Sequence, residues 1–407
     1  MPGEHRRNAA IVIERSEADG VSLPAGIRRS AGYFPELESL RGLAIALVVA
    51  FHTDGLVHVL QKARPAPSVV FALVRAGNAG VDLFFVLSAF LLARPFLVAR
   101  DRGLGSVDLR RYFARRALRI LPLYWTVAIT TTVLTAAQPA DILRGVPLLA
   151  FVHTSAPPPQ MTPYATVWWS LATEVQFYLL LPVLGMVRRS AFSRSLAAGS
   201  LVLWAVAYVT CLARPSLQAD ESVWLFATVF GRAPAFLFGI GAAALYLRHG
   251  ETLRRWLHTR PVMRAGGADA LLAAIVVLLM LLLREVAGRG FPAAERAPFQ
   301  LWHVGSALLW TAFLGLVLVA PLRCRPLVHN RALTALGIVS YSVYLWHILV
   351  VWPCLRALKT QWPGRFNAWT PETMAAAAVI ATLVLAWAAV SYRFVERPFL
   401  RVKSSLG

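Results

Sequence analysis

The chain has 407 residues, of which 57% are hydrophobic and only 15% are charged. A soluble domain averages roughly 45–50% apolar and about 25% charged residues, so this composition excludes an ordinary soluble protein and indicates a polytopic membrane protein. The formal net charge of +21 would suit nucleic-acid binding. Basic residues also collect in the cytoplasmic loops of membrane proteins, however, so we predict no nucleic-acid partner.

Ten apolar segments approach the length of about 20 residues that a membrane-spanning helix needs. They predict an all-α fold with about ten transmembrane helices, at approximately 40–61, 78–99, 120–136, 168–187, 196–213, 223–247, 268–284, 301–321, 334–355 and 373–395. Most Lys and Arg residues fall in the tails and loops of one side. This asymmetry places both termini in the cytoplasm of a multi-pass protein of the inner or plasma membrane.

The spans define a transmembrane domain over 36–400, with a flexible cytoplasmic tail at 1–35 and a second tail at 401–407. The apolar patch LRGVPLLAFVHT, at 143–154, is too short to cross a membrane and is expected to fold back into it. It belongs to the outward loop 137–167, where the proline-rich piece SAPPPQMTP should not form a helix.

The first span, LRGLAIALVVAFH, carries Arg41 at its start and His52 eleven residues later. At about 100° per residue, that spacing places both side chains on one helix face, with a rise of about 16 Å between them. Ionisable groups inside a membrane are costly and are candidates for function. Arg41 could instead anchor the helix at the surface, and His52 could serve only a helix–helix hydrogen bond.

Other spans carry polar residues that are candidates for the same site. Asp82 and Ser88 lie in the second span, where Asp82 could be an interface residue or could orient a catalytic group. Arg116 and Arg119 follow an arginine-rich loop and are three residues apart, so they can face one ligand, and phosphates are the usual partners of such pairs. Alternatively, the arginines of this cluster serve only to set the orientation of the helices in the membrane.

Glu174 and Tyr178, in VWWSLATEVQFYLLLPVL, are four residues apart and share a helix face. A carboxylate at this depth needs a partner, and His52 is the expected one. Arg232 and His347, in later spans, are further candidates for substrate binding. A last set, SYRFVERPFL at 391–400, is expected to have a structural role at the end of the final helix.

Seven segments together resemble the acyltransferase-3 family of integral membrane acyltransferases. The family hallmark is an Arg, ten residues and then a His in the first helix, which Arg41 and His52 match. The similar segments, in order, are ELESLRGLAIALVVAFH, GVDLFFVLSAFLLA, RRALRILPLYW, WWSLATEVQFYLLLP, GRAPAFLFGIG, LGIVSYSVYLWH and SYRFVERPFL, which cover about 36–400. Glu38 stands where the family commonly has Asp, which keeps the charge. Ala89 stands where Gly is usual, and its methyl group is expected to take up space at a close contact between two helices.

The resemblance implies transfer of an acyl group, commonly acetyl, from cytoplasmic acyl-CoA to a hydroxyl of a sugar, a surface glycan or a secreted small molecule. Acyl-CoA would then be a donor substrate, and we expect no permanently bound cofactor and no metal. On this reading Arg41, Arg116 and Arg119 hold the phosphates, and the pantetheine arm reaches towards His52.

His52 would act as general base, oriented by Glu174, or as the nucleophile of an acyl-imidazole. Asp82, Ser88, Tyr178, Arg232 and His347 would line the acceptor side or orient the first group. Rival readings are a transporter without transfer chemistry, a family member that exports a small molecule or has lost catalysis, and an enzyme acting on a lipid headgroup. The acceptor, the acyl chain length and the oligomeric state stay open.

Overall fold

The computed structural model describes residues 34–58, 69–102, 107–136, 138–152, 165–186, 191–213, 227–289 and 301–405. Within these ranges the chain forms helices and turns without a β-strand, so the predicted all-α fold is confirmed. The helices are α1 (Pro35–Val57), α2 (Val69–Arg75), α3 (Ala79–Arg102), α4 (Leu109–Thr135), α5 (Pro139–Arg144), α6 (Val146–Leu149), α7 (Trp169–Met186), α8 (Ala191–Leu212), α9 (Val229–Thr259), α10 (Ala268–Arg289), α11 (Leu301–Val319), α12 (Arg325–Val328), α13 (Arg331–Ile338), α14 (Ser340–Gln361), α15 (Pro371–Ser391) and α16 (Arg397–Ser405).

Eight helices in the described part of the chain are long and apolar enough to cross a membrane, namely α1, α3, α4, α9, α10, α11, α14 and α15. Two more helices, α7 with 18 residues and α8 with 22, coincide with the fourth and fifth predicted spans. The structure is therefore that of a polytopic membrane protein. The predicted tail 1–35 lies outside the described residues except for its last two, and α16 continues to Ser405.

The outward faces of several helices are apolar, as expected where a helix contacts lipid. Leu179 and Leu180 on α7 and Val202 and Leu203 on α8 are all exposed. An exposed apolar belt of this extent would be a liability in water, whereas lipid is its natural surrounding. The buried core instead contains the polar groups described below.

The first helix is held by unusually close contacts with α13. A Cβ atom added at Gly42 would stand 2.0 Å from the carbonyl oxygen of Leu333, and one at Gly337 would stand 1.8 Å from that of Glu38. Only glycine permits this distance between two backbones, which is the usual reason for small residues between membrane helices. The contact fixes the part of α1 that carries Arg41.

A second close contact joins α3 to α9. A Cβ atom at Gly239 would stand 2.5 Å from the carbonyl oxygen of Val86 and 2.6 Å from the Cβ atom of Ala89. The methyl group of Ala89 thus occupies the space that Gly239 leaves on the facing helix. This explains how the chain accommodates alanine at a position where the family usually has glycine.

The segment after α4 folds back along that helix. Tyr124, near the middle of α4, donates from its hydroxyl to the carbonyl of Leu148 at 2.7 Å, and its ring stacks on Phe151. The neighbouring Trp125 donates to the carbonyl of Leu149 at 3.2 Å. The described part of the apolar patch predicted at 143–154, up to Val152, therefore lies beside the middle of α4, while the proline-rich piece lies outside the described residues.

Candidate active site

A cavity of about 130 Å³ lies between α1, α3, α4, α7 and α14. Its volume is roughly ten times that needed for one water molecule. Leucine and phenylalanine side chains form much of its wall. Its polar lining residues are Arg41, Ser88, Arg116, Arg119, Ser170, Glu174, Tyr178, Ser340, Tyr341 and Tyr344.

The cavity brings together the three arginines that the sequence singled out, but they differ in their partners. Arg41 approaches Glu38 at 3.5 Å. Arg119 pairs with Glu396 at 2.5 Å. Arg116 has no ion pair or hydrogen bond with any described residue, and its Nε atom is buried without a partner. Arg116 is thus the cation in this cavity that is most available to an added anion.

Glu396 belongs to the site, although its sequence position suggested only a helix end. It lies in the π-helical turn Tyr392–Glu396 that leads into α16, and it is 2% exposed. Besides the bond from Arg119, it accepts one from the Ser342 hydroxyl at 2.8 Å. Glu396 therefore ties the last helices to α4 and α14, next to the cavity.

Glu174 accepts a hydrogen bond from the Ser88 hydroxyl, and both residues line the cavity. Tyr178, four residues after Glu174, completes this side, and its carbonyl accepts from the Tyr112 hydroxyl at 3.3 Å. The expected hydrogen bond between Glu174 and His52 is not formed among the described residues. Packing of α7 against α3 turns the carboxylate towards Ser88 instead.

The partner of His52 is His347. Nδ1 of His52 lies 3.2 Å from Nε2 of His347 and 2.9 Å from the carbonyl oxygen of Val48. Nδ1 of His347 lies 2.7 Å from the carbonyl oxygen of Tyr344. Neither imidazole lines the cavity, but Tyr344 does, and it precedes His347 by one turn of α14. The pair therefore adjoins the wall of the cavity nearest Tyr344.

Asp82 and Arg232 form a separate buried cluster outside the cavity lining. Nη1 of Arg232 lies 3.5 Å from one oxygen of Asp82, and Nδ1 of His303 lies 3.0 Å from the other. The guanidinium of Arg232 also stands over the Trp169 ring, 5.0 Å from its centroid. His303 was missed from the sequence because no spacing relates it to Asp82, which is 221 residues away.

Comparison with known proteins decides the family. A sequence profile of the acyltransferase-3 family, described as an acyltransferase domain, matches residues 34–391. The chain belongs to the acyltransferase-3 family.

Relatives of this acyltransferase-3 protein include the peptidoglycan O-acetyltransferase OatA of Listeria monocytogenes, which is 27% identical over 91% of this chain and 56% of its own length. YrhL of Bacillus subtilis is 26% identical over 90% of this chain and 55% of its own length. The exopolysaccharide production protein ExoZ of Rhizobium meliloti is 27% identical over 80% of this chain and 90% of its own length. The chain thus spans about half the length of the first two relatives. No solved structure matches it significantly.

In this acyltransferase-3 chain, the predicted site residues divide into three groups. The cavity gathers Arg41, Arg116, Arg119, Ser88, Glu174 and Tyr178. His52 and His347 form a pair beyond the Tyr344 wall. Asp82 and Arg232 belong to the cluster with His303.

Proposed function

We propose that this protein is a membrane-embedded O-acyltransferase that moves an acyl group, commonly acetyl, from cytoplasmic acyl-CoA to a hydroxyl of a cell-surface glycan. Membership of the acyltransferase-3 family supports the reaction class. The relatives OatA and ExoZ, named for peptidoglycan and exopolysaccharide, support a glycan acceptor. ExoZ is matched over 90% of its own length, so the acceptor proposal includes a relative that this chain covers almost in full.

The unpaired Arg116 in the cavity is the observation that carries the donor proposal. A buried guanidinium nitrogen without a partner, as Nε of Arg116 is among the described residues, is costly, and an anionic ligand would supply the missing acceptor. The Ser340 hydroxyl, also buried in the cavity wall, has no hydrogen-bond partner in the part of the chain that the structure describes. The phosphates of acyl-CoA would satisfy Arg116 and would attract Arg41, which is only loosely bound to Glu38 at 3.5 Å.

The geometry of two helices supports a path for the pantetheine arm. Arg41 and His52 lie on the continuous helix α1, with a rise of about 16 Å between them. On α14, Ser340 and Tyr344 line the cavity, and His347 lies about 10 Å along the axis from Ser340. A thioester arm that enters beside the arginines would therefore run towards the histidine pair, past Ser88 and Glu174.

At the far end of that path, His52 would act as general base. The acceptor hydroxyl would give its proton to His52 while its oxygen bonds to the thioester carbonyl carbon. The carbon–sulfur bond then breaks, and the CoA thiolate takes the proton from His52. In the second version His52 itself attacks the carbonyl and carries the acyl group as an acyl-imidazole, which rapid quenching of a reaction without acceptor would trap.

The donor proposal is tested by calorimetric titration of the detergent-purified protein with acetyl-CoA. We expect Arg116→Ala to weaken binding by about 10- to 100-fold, the value of one to two charge-assisted hydrogen bonds. Arg110→Ala is the matched control, because Arg110 is exposed on the same helix and outside the cavity. An equal loss of affinity in Arg116→Ala and Arg110→Ala would indicate non-specific attraction between the basic surface and the negatively charged acetyl-CoA. Absence of binding by the wild-type protein to any acyl-CoA would favour the transporter reading.

A further inference from the structure

We propose that His347 is a positioning residue for His52, holding it with a proton on Nδ1 and with Nε2 free to accept one. The inference rests on the proposed acyl transfer, in which His52 is the base. The sequence left two roles open for His347, lining the acceptor side or orienting the first group, and this inference selects the second, exerted through the imidazole of His52.

The two backbone carbonyls decide which nitrogens carry protons. A carbonyl oxygen can only accept, so Nδ1 of His347 must donate to Tyr344, 2.7 Å away, and Nδ1 of His52 must donate to Val48, 2.9 Å away. In a neutral imidazole the other nitrogen is then unprotonated. The single Nδ1–H of His52 is then shared between the Val48 carbonyl and the lone pair on Nε2 of His347, 3.2 Å away, and Nε2 of His52 is left as the basic atom.

The reverse arrangement fails at two contacts. If His347 donated from Nε2, Nδ1 of His52 would have to present a lone pair both to His347 and to the carbonyl of Val48. In its neutral form, His347 would also turn a lone pair towards the carbonyl of Tyr344. Two pairs of acceptors would then face each other at hydrogen-bond distance, without a proton between them.

Burial separates the roles of the two rings. His347 is 0% exposed, whereas His52 is partly exposed. His52 also has no hydrogen bond at Nε2 among the described residues. His52 is therefore the more accessible ring of the pair, and its Nε2 is the nitrogen left open to a reacting proton. The described hydrogen bonds of the pair include no carboxylate, so the role that an aspartate plays towards histidine in a triad falls to a neutral imidazole.

The proton balance of this arrangement is simple. When Nε2 of His52 takes the proton of the acceptor hydroxyl, His52 becomes an imidazolium, and its Nδ1–H bond to the lone pair of His347 becomes charge-assisted and stronger. No proton passes to His347. When the CoA thiolate takes the proton from Nε2, both rings return to their neutral forms.

Two conservative variants test the proposal, because they preserve different atoms of the imidazole. His347→Gln places an oxygen near the position of Nε2 and can still accept from His52. His347→Asn places its amide near Nδ1, so it can retain the bond to Tyr344 but cannot reach His52. We expect acetyl transfer by His347→Gln to keep kcat within about tenfold of wild type, and kcat of His347→Asn to fall by about 100-fold. The Kd for acetyl-CoA should not change in either variant.

The opposite order, with Asn more active than Gln, would show that His347 serves only the backbone of α14 and would overturn the proposal. Wild-type kcat in both variants would overturn it as well. Histidine-selective ¹⁵N NMR of the detergent-purified protein reads the proton positions without any activity, with signals assigned from His52→Ala and His347→Gln. Protons on Nδ1 of both rings are expected, and a proton on Nε2 of either ring would refute the arrangement. Failure of the proposed function would appear separately, as the absence of transfer by wild type.

Discussion

Arg119 donates through Nη1 to Oε1 of Glu396 at 2.5 Å and thereby joins α4 to the turn before α16. Arg119 and Arg116 both line the cavity, yet only Arg119 has a buried carboxylate as partner. Two arginines one turn apart therefore have different primary tasks. Arg116 is available for a ligand, whereas Arg119 holds helices together.

Arg119→Ala should lower the melting temperature in detergent far more than Arg116→Ala. The substitution leaves the carboxylate of Glu396 buried with Ser342 as its one remaining partner among the described residues, and breaking one side of a buried pair costs about 3–5 kcal/mol. The double variant Arg119→Met/Glu396→Leu should recover much of the loss, because it removes both charges. A melting temperature that falls equally in Arg116→Ala and Arg119→Ala would contradict this division.

Asp82→Asn should destabilise the protein while leaving the affinity for acetyl-CoA unchanged. The substitution deprives the buried Arg232 of its anion, at a cost on the order of 3 kcal/mol, but touches no residue of the cavity lining. Asp101→Asn on the same helix is the control, because its pair with Arg248 is solvent-exposed and worth less than about 1 kcal/mol. Weaker acetyl-CoA binding by Asp82→Asn with an unchanged melting temperature would contradict this prediction and would indicate that Asp82 contributes to substrate binding.

Gly337→Ala should separate α13 from α1. The added methyl group would stand 1.8 Å from the carbonyl oxygen of Glu38, so one helix must move. Because α1 carries Arg41, both the melting temperature and the affinity for acetyl-CoA should fall. Gly315→Ala is the matched control, since an added Cβ there meets nothing within 4 Å and the exchange should stabilise α11 by up to about 1 kcal/mol. Normal binding by Gly337→Ala would rule out the close contact.

Cys324 should react slowly with alkylating reagents at neutral pH. It lies between α11 and α12, where burial and the neighbouring carboxylate of Asp269 raise the pKa of its thiol to about 11. The reactive thiolate is therefore scarce below that pH, and at pH 8 the rate should be about 100-fold below that of a thiol with a pKa near 9.

The measurement is iodoacetamide labelling of the variant Cys211→Ala/Cys354→Ala between pH 7 and 10. In the same background, Asp269→Asn removes the carboxylate and should raise the rate, although burial persists. If the labelling rate of the variant that keeps Asp269 levelled off near pH 9, the raised pKa of Cys324 would be disproved.

The sequence was informative where a relationship lay within one helix. Arg41 and His52 share α1 because eleven residues correspond to a nearly whole number of turns. The position of Glu174 within α7 was likewise predictable. The hydrogen-bond partner of Glu174 was not predictable. The choice between His52 and Ser88 depends on how α7 packs against other helices, and the periodicity within one helix carries no information on that packing.

The residues that sequence reasoning missed or underrated, His303 and Glu396, have partners more than 200 residues away. Neither stands in a motif with its partner, and each acquires its role only when distant helices meet. The sequence could have flagged both residues by their chemistry alone, because an ionisable side chain at the edge of an apolar span needs a partner. It could not have identified that partner.

The ion pair between Arg119 and Glu396, which lies beside the cavity, also limits the order in which the chain can assemble during its synthesis. Arg119 and Glu396 are separated by 277 residues, which a ribosome translates in about 14–55 s. During that interval Arg119 lacks the Glu396 carboxylate, so this end of α4 has to remain where the guanidinium reaches water. The arginine-lined side of the cavity is therefore completed only after residue 396 emerges, and a nascent chain cannot form the mature arrangement around Arg119 before then.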